Sequence, residues 1–246
     1  TGTTCLNLPE THEIIKLLRD IVDQLDENIV IVTETNLPKN ENLSYFGKDD
    51  EAHWIYNFSL PPLIIYTFLF EDSSPITKWS MKMPPAQFGN AYLNFIASHD
   101  GIGMRPAEGV LSDNEIDNML VRLKKNGSEF SMRKVQADED KVYEANISLF
   151  SALEFTDNDN SGAFALKRFI ASHCIILAIE GVPAFYFNSF FATKNDKASY
   201  SKNGIKRDLN RHKWNYSDLV SRINNGNSLE NKCFSILKEL IHIRKS

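Results

Sequence analysis

The sequence predicts an α/β protein built as about half of a (β/α)8 TIM barrel, with one inserted segment. Three observations carry that expectation. Apolar helical stretches alternate with short β-prone runs, as in a parallel sheet covered by helices. Two of those runs stop at acidic residues, Asn28-Ile-Val-Ile-Val-Thr-Glu34 and Ala91-Tyr-Leu-Asn-Phe-Ile-Ala-Ser-His-Asp-Gly-Ile-Gly103, and a (β/α) barrel builds its active site from loops at the C-terminal ends of its strands. Finally, only four strands are found in 246 residues, whereas a closed barrel needs eight.

The elements follow in order. Pro9-Glu10-Thr11 opens a helix over 12–26, with Ile14, Ile15, Leu18, Ile21, Val22 and Leu25 at helical spacing. A strand over 29–33 precedes a polar loop, 35–50, and a short strand, 54–58. Pro61-Pro62 starts the next helix, since proline is tolerated in a first turn, and a second helical piece over 76–81 ends before Pro84-Pro85. The strand 91–97 follows. From 106 to 160 charged residues dominate and only 114–125 is clearly helical, so this stretch is expected to be an inserted subdomain. An apolar helix over 163–177 and a strand over 181–187 restore the alternation. A long polar loop, 188–211, leads to helices over 216–224 and 229–244. The expected organisation is barrel units in 1–105, the insertion in 106–160 and the last barrel units in 161–246.

Composition narrows the function. Hydrophobic content of 42% and charge content of 24% are ordinary for a soluble globular protein. A net charge of -5, with no Lys/Arg cluster among aromatics, argues against nucleic-acid binding. No apolar run approaches a membrane span, and Thr1 opens onto polar residues without a leader pattern. Cys5, Cys174 and Cys233 are odd in number and scattered, which suits a reducing, cytoplasmic setting and provides no metal spacing. The histidines are likewise too dispersed for a metal site. No metal and no cofactor are expected.

Glu34 and Asp100 are the candidate catalytic residues, because each stands at a strand end on the same rim. Glu34 alone also reads as a rim-exposed or capping glutamate, and Asp100 alone as the Asp-Gly of a turn. The run after Asp100 lacks β alternation, which weakens the turn reading. The glycines 101 and 103 are expected to allow positive φ and close backbone approach to a ligand. Beside Asp100, His99 reads as a ligand contact, although a lone histidine is more often a satisfied core residue. Arg207 and Arg211 suit sugar hydroxyls and carboxylates, and also suit a solvated loop. Tyr45, Phe46, Tyr56, Phe58, Tyr186 and Phe187 read as core before they read as stacking platforms for a sugar.

In their order, Thr33-Glu34, Ala97-Ser-His-Asp-Gly-Ile-Gly103 and Gly181-Val-Pro-Ala-Phe-Tyr186 resemble the C-terminal half of the catalytic barrel of glycoside hydrolase family 13, the α-amylase family. Five further pieces are similar to its sucrose phosphorylase branch. They are Tyr56-Asn-Phe-Ser-Leu-Pro-Pro62, Ser98-His-Asp-Gly-Ile-Gly-Met-Arg-Pro106, Tyr143-Glu-Ala-Asn146, Thr193-Lys-Asn-Asp196 and Arg207-Asp-Leu-Asn-Arg211. The resemblance implies the last four β/α units, from the fourth helix onward, and glucosyl transfer with retention between a sugar substrate and inorganic phosphate. Sucrose or a related α-glucoside is the implied donor, with glucosylglycerate, sucrose 6-phosphate or an inactive half-barrel as alternatives.

Under this resemblance Glu34 matches the general acid/base, and Asp100 the carboxylate that holds sugar hydroxyls and favours the transition state. His99 matches a donor to the same ring, Arg211 in preference to Arg207 the arginine lining it, and the insertion a segment shaping the acceptor site. The family's nucleophilic aspartate closes the fourth strand, and no counterpart precedes Glu34. Thr1-Gly-Thr-Thr-Cys5 looks like the loop into the fourth helix. The expectation is a fragment that is inactive alone and that self-associates or pairs with a missing N-terminal half.

Overall fold

The computed structural model describes residues 5–26, 28–87, 89–136 and 139–246. The expected loop at 1–4 lies outside them. Two sheets organise the chain. The first is four-stranded and parallel, formed by β1 (Val32–Thr33), β2 (Trp54–Tyr56), β3 (Ala91–Asn94) and β7 (Val182–Pro183), in that spatial order. All four expected strands are present, each shorter than expected. β1 and β7 are edges with a neighbour on one side only, and Pro183 removes an N–H from the ladder.

The strands are crossed by α1 (Pro9–Leu25), α3 (Leu60–Phe70), α4 (Ser74–Ser80), α7 (Ala165–Ala178), α9 (Tyr216–Asn224) and α10 (Leu229–Lys245). α3 is apolar on every side and is buried accordingly: Leu60, Leu63, Ile64 and Ile65 are fully covered. α1 is the opposite case. No residue of it is buried, and Ile14, Leu17, Leu18, Ile21 and Leu25 form an exposed apolar stripe.

Inside the parallel sheet, buried Asn57 and Asn94 tie strands together, with Asn57 Nδ2 donating to Asn94 Oδ1 at 3.0 Å and Asn94 Nδ2 to the Glu180 carbonyl at 2.7 Å. β7 can approach β3 because residue 181 is glycine. Its φ is +120°, and an added Cβ would stand 2.4 Å from the Tyr92 carbonyl oxygen.

The second sheet corrects the reading of the charged segment. Ile102–Gly103 is a strand, β4, which pairs antiparallel with β6 (Glu139–Asn146), itself paired with β5 (Glu129–Gln136). A β run therefore does follow Asp100, in a different sheet. Here too lie α5 (Asp113–Lys125), started by a Ser112/Glu115 capping box, and α6 (Leu149–Glu154). Ile102, Met119, Leu123, Ala145 and Leu153 share one continuous core with α3, α7 and α10. The expected polar loop 35–50 contains α2 (Lys39–Leu43) and a 3₁₀ turn, Ser44–Phe46. The expected loop 188–211 contains α8 (Lys197–Asn203) between two 3₁₀ turns, Phe187–Phe191 and Lys206–Asn210.

Candidate active site

The loops after β1, β2 and β3 open on one end of the parallel sheet, where a cavity of about 250 Å³ is lined by Glu34, His99, Asp100 and Arg207 among others. Four of the five expected site residues thus come together from parts of the chain far apart in sequence. Arg211 does not line the cavity. It lies behind Asp100, donating through Nη2 to Asp100 Oδ1 at 3.2 Å and through Nε to the His99 carbonyl at 2.6 Å.

Asp100 is held by charge. Arg207 Nη1 is 2.6 Å and His99 Nε2 is 3.6 Å from the same Oδ1 atom. Asn210, buried at 4% exposure, fixes the loop backbone: its Nδ2 lies 3.4, 3.1 and 2.9 Å from the carbonyl oxygens of Ser98, His99 and Asp100. Two N–H bonds are shared among three acceptors. The Arg207-Asp-Leu-Asn-Arg211 turn therefore serves as the seat on which the His99-Asp100 loop rests.

Gly101 and Gly103 behave otherwise than expected. Neither has positive φ. Each is required by close passage of protein: a Cβ on Gly101 would lie 2.8 Å from Glu144 Cγ, and one on Gly103 2.7 Å from Asn36 Nδ2.

Glu34 presents a contrast. It is exposed at the cavity rim, and no hydrogen bond or ion pair to its side chain is found among the described residues. The described residues do not enclose this carboxyl. Two residues on, Asn36 Oδ1 is buried without a partner, and across the cavity mouth Arg105 Nη2 stands 4.0 Å from Glu41 Oε2.

Aromatic rings form another part of the wall. Tyr56 and Phe58 stack at 5.5 Å, and Phe95 meets each edge-on at 5.2 Å. Burial and the nearby Glu34 charge push the Tyr56 hydroxyl above its ordinary value. Of the six aromatics considered from sequence, Tyr56 and Phe58 face this cavity, Tyr45 is core and Phe187 is exposed.

Sequence reasoning gave no role to Glu144, Asn210, Arg105 or Phe95. Glu144 and Asn210 stood inside quoted motifs, but their partners lie 63 and 110 residues away. Among the described residues no group of three His, Cys, Asp or Glu side chains is arranged to hold a metal ion. The acidic turn at 157–161 is neutralised by arginines, Asp157 by Arg122 at 2.7 Å and Asp159 by Arg168 at 3.0 Å. No helix among the described residues is long and apolar enough to cross a membrane.

No known family profile matches the chain. Individual proteins do. Glucosylglycerate phosphorylase of Escherichia coli (strain K12) is 36% identical over 246 residues, which is 100% of this chain and 44% of that protein. The glucosylglycerate phosphorylase of Allomeiothermus silvanus is 35% identical over 99% of this chain and 44% of its own length. Sucrose phosphorylase of Bifidobacterium adolescentis is 25% identical over 89% of this chain and 42% of its own. The crystal structure of sucrose 6F-phosphate phosphorylase from Thermoanaerobacter thermosaccharolyticum superposes with a TM-score of 0.80 at 20% identity, covering 99% of this chain and 46% of that one. At that identity the likeness speaks for the fold, a partial TIM barrel. The chain spans less than half the length of these relatives. In sequence the chain is similar to part of the glucosylglycerate and sucrose phosphorylases, and in fold to part of a sucrose 6F-phosphate phosphorylase.

Proposed function

We propose that this chain supplies the acid/base side of a retaining glucosyl phosphorylase whose donor is an α-glucoside of a small acid, glucosylglycerate before sucrose. The observation that carries the reading is the meeting of Glu34, His99, Asp100 and Arg207 around one cavity at the loop end of the parallel sheet. Glu34 protonates the glycosidic oxygen as the bond to the anomeric carbon breaks, and later takes the proton from the attacking phosphate. Asp100, with Oδ1 engaged by two arginines, offers Oδ2 to sugar hydroxyls and its charge to the cationic ring. His99 donates to the same ring, and Tyr56, Phe58 and Phe95 offer it an apolar wall. The product is α-glucose 1-phosphate.

Two observations support an anionic acceptor. The glucosylglycerate phosphorylases match at 36% and 35% identity, against 25% for the sucrose phosphorylase. Arg105 lines the cavity, and its nearest carboxylate is only at the 4.0 Å limit of an ion pair, so its charge remains free for glycerate or phosphate.

Retention requires a second carboxylate ~5–5.5 Å from Glu34. The other carboxylates lining the cavity, Asp100 and Glu144, are bound by arginine, so the nucleophile comes from residues beyond this chain. The chain alone is therefore inactive in this reading. The exposed stripe of α1 and the open edges at β1 and β7 are where it pairs with further barrel units or with itself. These assignments also make the protein a soluble, cytoplasmic enzyme.

The test is phosphate-dependent release of glucose 1-phosphate by the polypeptide in which this sequence occurs. Glucosylglycerate, sucrose and sucrose 6-phosphate are compared, and the isolated chain is assayed in parallel. Phosphorolysis of glucosylglycerate by the native polypeptide and none by the isolated chain is the expected result. Failure of the native polypeptide on all three sugars would sink the reading.

A further inference from the structure

We propose that Glu144 is a positioning residue for the glucosyl site, acting on Asp100 through Arg207. The inference rests on the phosphorylase reading above. Glu144 lies on β6, in the antiparallel sheet, opposite Gly103 of β4. It is 4% exposed, and a carboxylate so covered must be paired. Its pairing is bidentate: Arg207 Nη2 donates to Oε1 at 2.7 Å and Arg207 Nε to Oε2 at 3.1 Å. The remaining end of the same guanidinium, Nη1, is 2.6 Å from Asp100 Oδ1. One planar fork thus bridges a buried carboxylate and a half-exposed one.

The charge count explains why a second carboxylate is needed. Asp100 faces two guanidinium groups, Arg207 and Arg211. Without Glu144 this cluster carries a net positive charge beside the place where a glucosyl cation develops, which opposes the reaction. With Glu144 it is neutral, and Asp100 keeps its negative charge toward the ring. The bond also raises the Arg207 pKa, chiefly through the Glu144 hydrogen bonds. Gly101 allows the arrangement, because any Cβ there would strike Glu144 Cγ at 2.8 Å. The antiparallel sheet therefore reaches into the glucosyl side of the cavity as well as framing it.

The experiment compares Glu144→Gln with Glu34→Gln in the native polypeptide, on glucosylglycerate and on α-glucosyl fluoride. The fluoride leaves without protonation, so a missing acid is largely bypassed, whereas weakened stabilisation of the glucosyl cation is not. Glu144→Gln is expected to lower kcat about tenfold to a hundredfold on both donors, less than the ~10²–10³ of a direct transition-state contact, with donor KM within about threefold. Glu144→Asp, which keeps the charge, is expected to recover most of that loss. A kcat for Glu144→Gln within twofold of the parent, or a loss that disappears on the fluoride, overturns the proposal.

Should Glu144→Gln not fold, the same change is made in an Arg207→Gln background, where no buried guanidinium is left without its partner. If Glu144 acts through Arg207, the second substitution costs less than about twofold there; a further tenfold loss overturns the proposal. Absence of phosphorolysis by the unmodified polypeptide would instead refute the function assigned above. The two failures are therefore distinguishable.

Discussion

The two carboxylate-bearing rims of the cavity are built to different standards. At Asp100 the side chain is caged by two arginines, the backbone beneath it is bonded to Asn210, and a buried glutamate balances the charge. At Glu34 the side chain is exposed, and the adjacent helix, α1, has no buried residue. The same asymmetry runs through the packing, from the largely buried α3 and the half-buried α7 to the bare stripe of α1. The Asp100 rim is braced on several sides within the described residues, whereas the Glu34 rim is left open.

The comparison breaks most readily at Glu34. In the native polypeptide, Glu34→Gln is expected to reduce phosphorolysis of glucosylglycerate about 10²- to 10⁴-fold, measured as initial rates of glucose 1-phosphate formation. Near-normal turnover would mean that the acid lies elsewhere.

On the closed flank the core itself should be acid-sensitive. His173 of α7 is 1% exposed, its Nδ1 bonds the Phe169 carbonyl at 2.8 Å and its Nε2 has no partner. Burial pushes the imidazole down from 6.5 to about 4. The unfolded chain therefore binds a proton that the folded chain refuses between these values. Stability is fully present above pH 6.5 and is lost as pH falls through 4. A gap of 6.5 − 4, about 2.5, at 1.36 kcal/mol per unit amounts to about 3 kcal/mol. Urea midpoints at pH 4.5 and 7.5 should show that loss, and His173→Leu should flatten it.

The seat under the closed rim is worth somewhat less. Asn210→Ala unpairs three loop carbonyls and is expected to cost about 1–3 kcal/mol, read from the urea midpoint of the isolated chain. An unchanged midpoint would show that solvent replaces the clamp. The smallest effect belongs to the open flank. Leu17→Ser is expected to alter folding stability by less than about 0.5 kcal/mol, because the side chain is already 59% exposed. It should nevertheless weaken self-association in light scattering.

Legibility in the sequence followed the same divide between local and distant order. The four parallel strands were readable because apolar runs such as Ile29-Val-Ile-Val-Thr33 stand out from their flanks. Glu34 does stand directly after β1, whereas His99 and Asp100 lie in the loop beyond β3, which ends at Asn94 and not at the expected residue 97. The hairpin of β5 and β6 was missed although Glu129-Phe-Ser-Met-Arg133 alternates polar with apolar residues, because that short run is flanked by a charged stretch, Arg133-Lys134 and Glu139-Asp-Lys141. Glu144 and Asn210 were hidden for another reason. Their meaning depends on which distant backbone or guanidinium the fold sets against them, and no local pattern encodes that. Arg207 and Arg211, left as alternatives, turn out to address the same Asp100 oxygen from two directions.

Asn210 grips the 98–100 loop only by its carbonyl groups, which every amino acid carries. The loop's course is thereby insulated from the identity of the side chains it displays. His99, 64% exposed at its side chain, can therefore be replaced without redrawing the path of the chain. Such a seat lets the side chains on one loop change while Asp100 stays where it is.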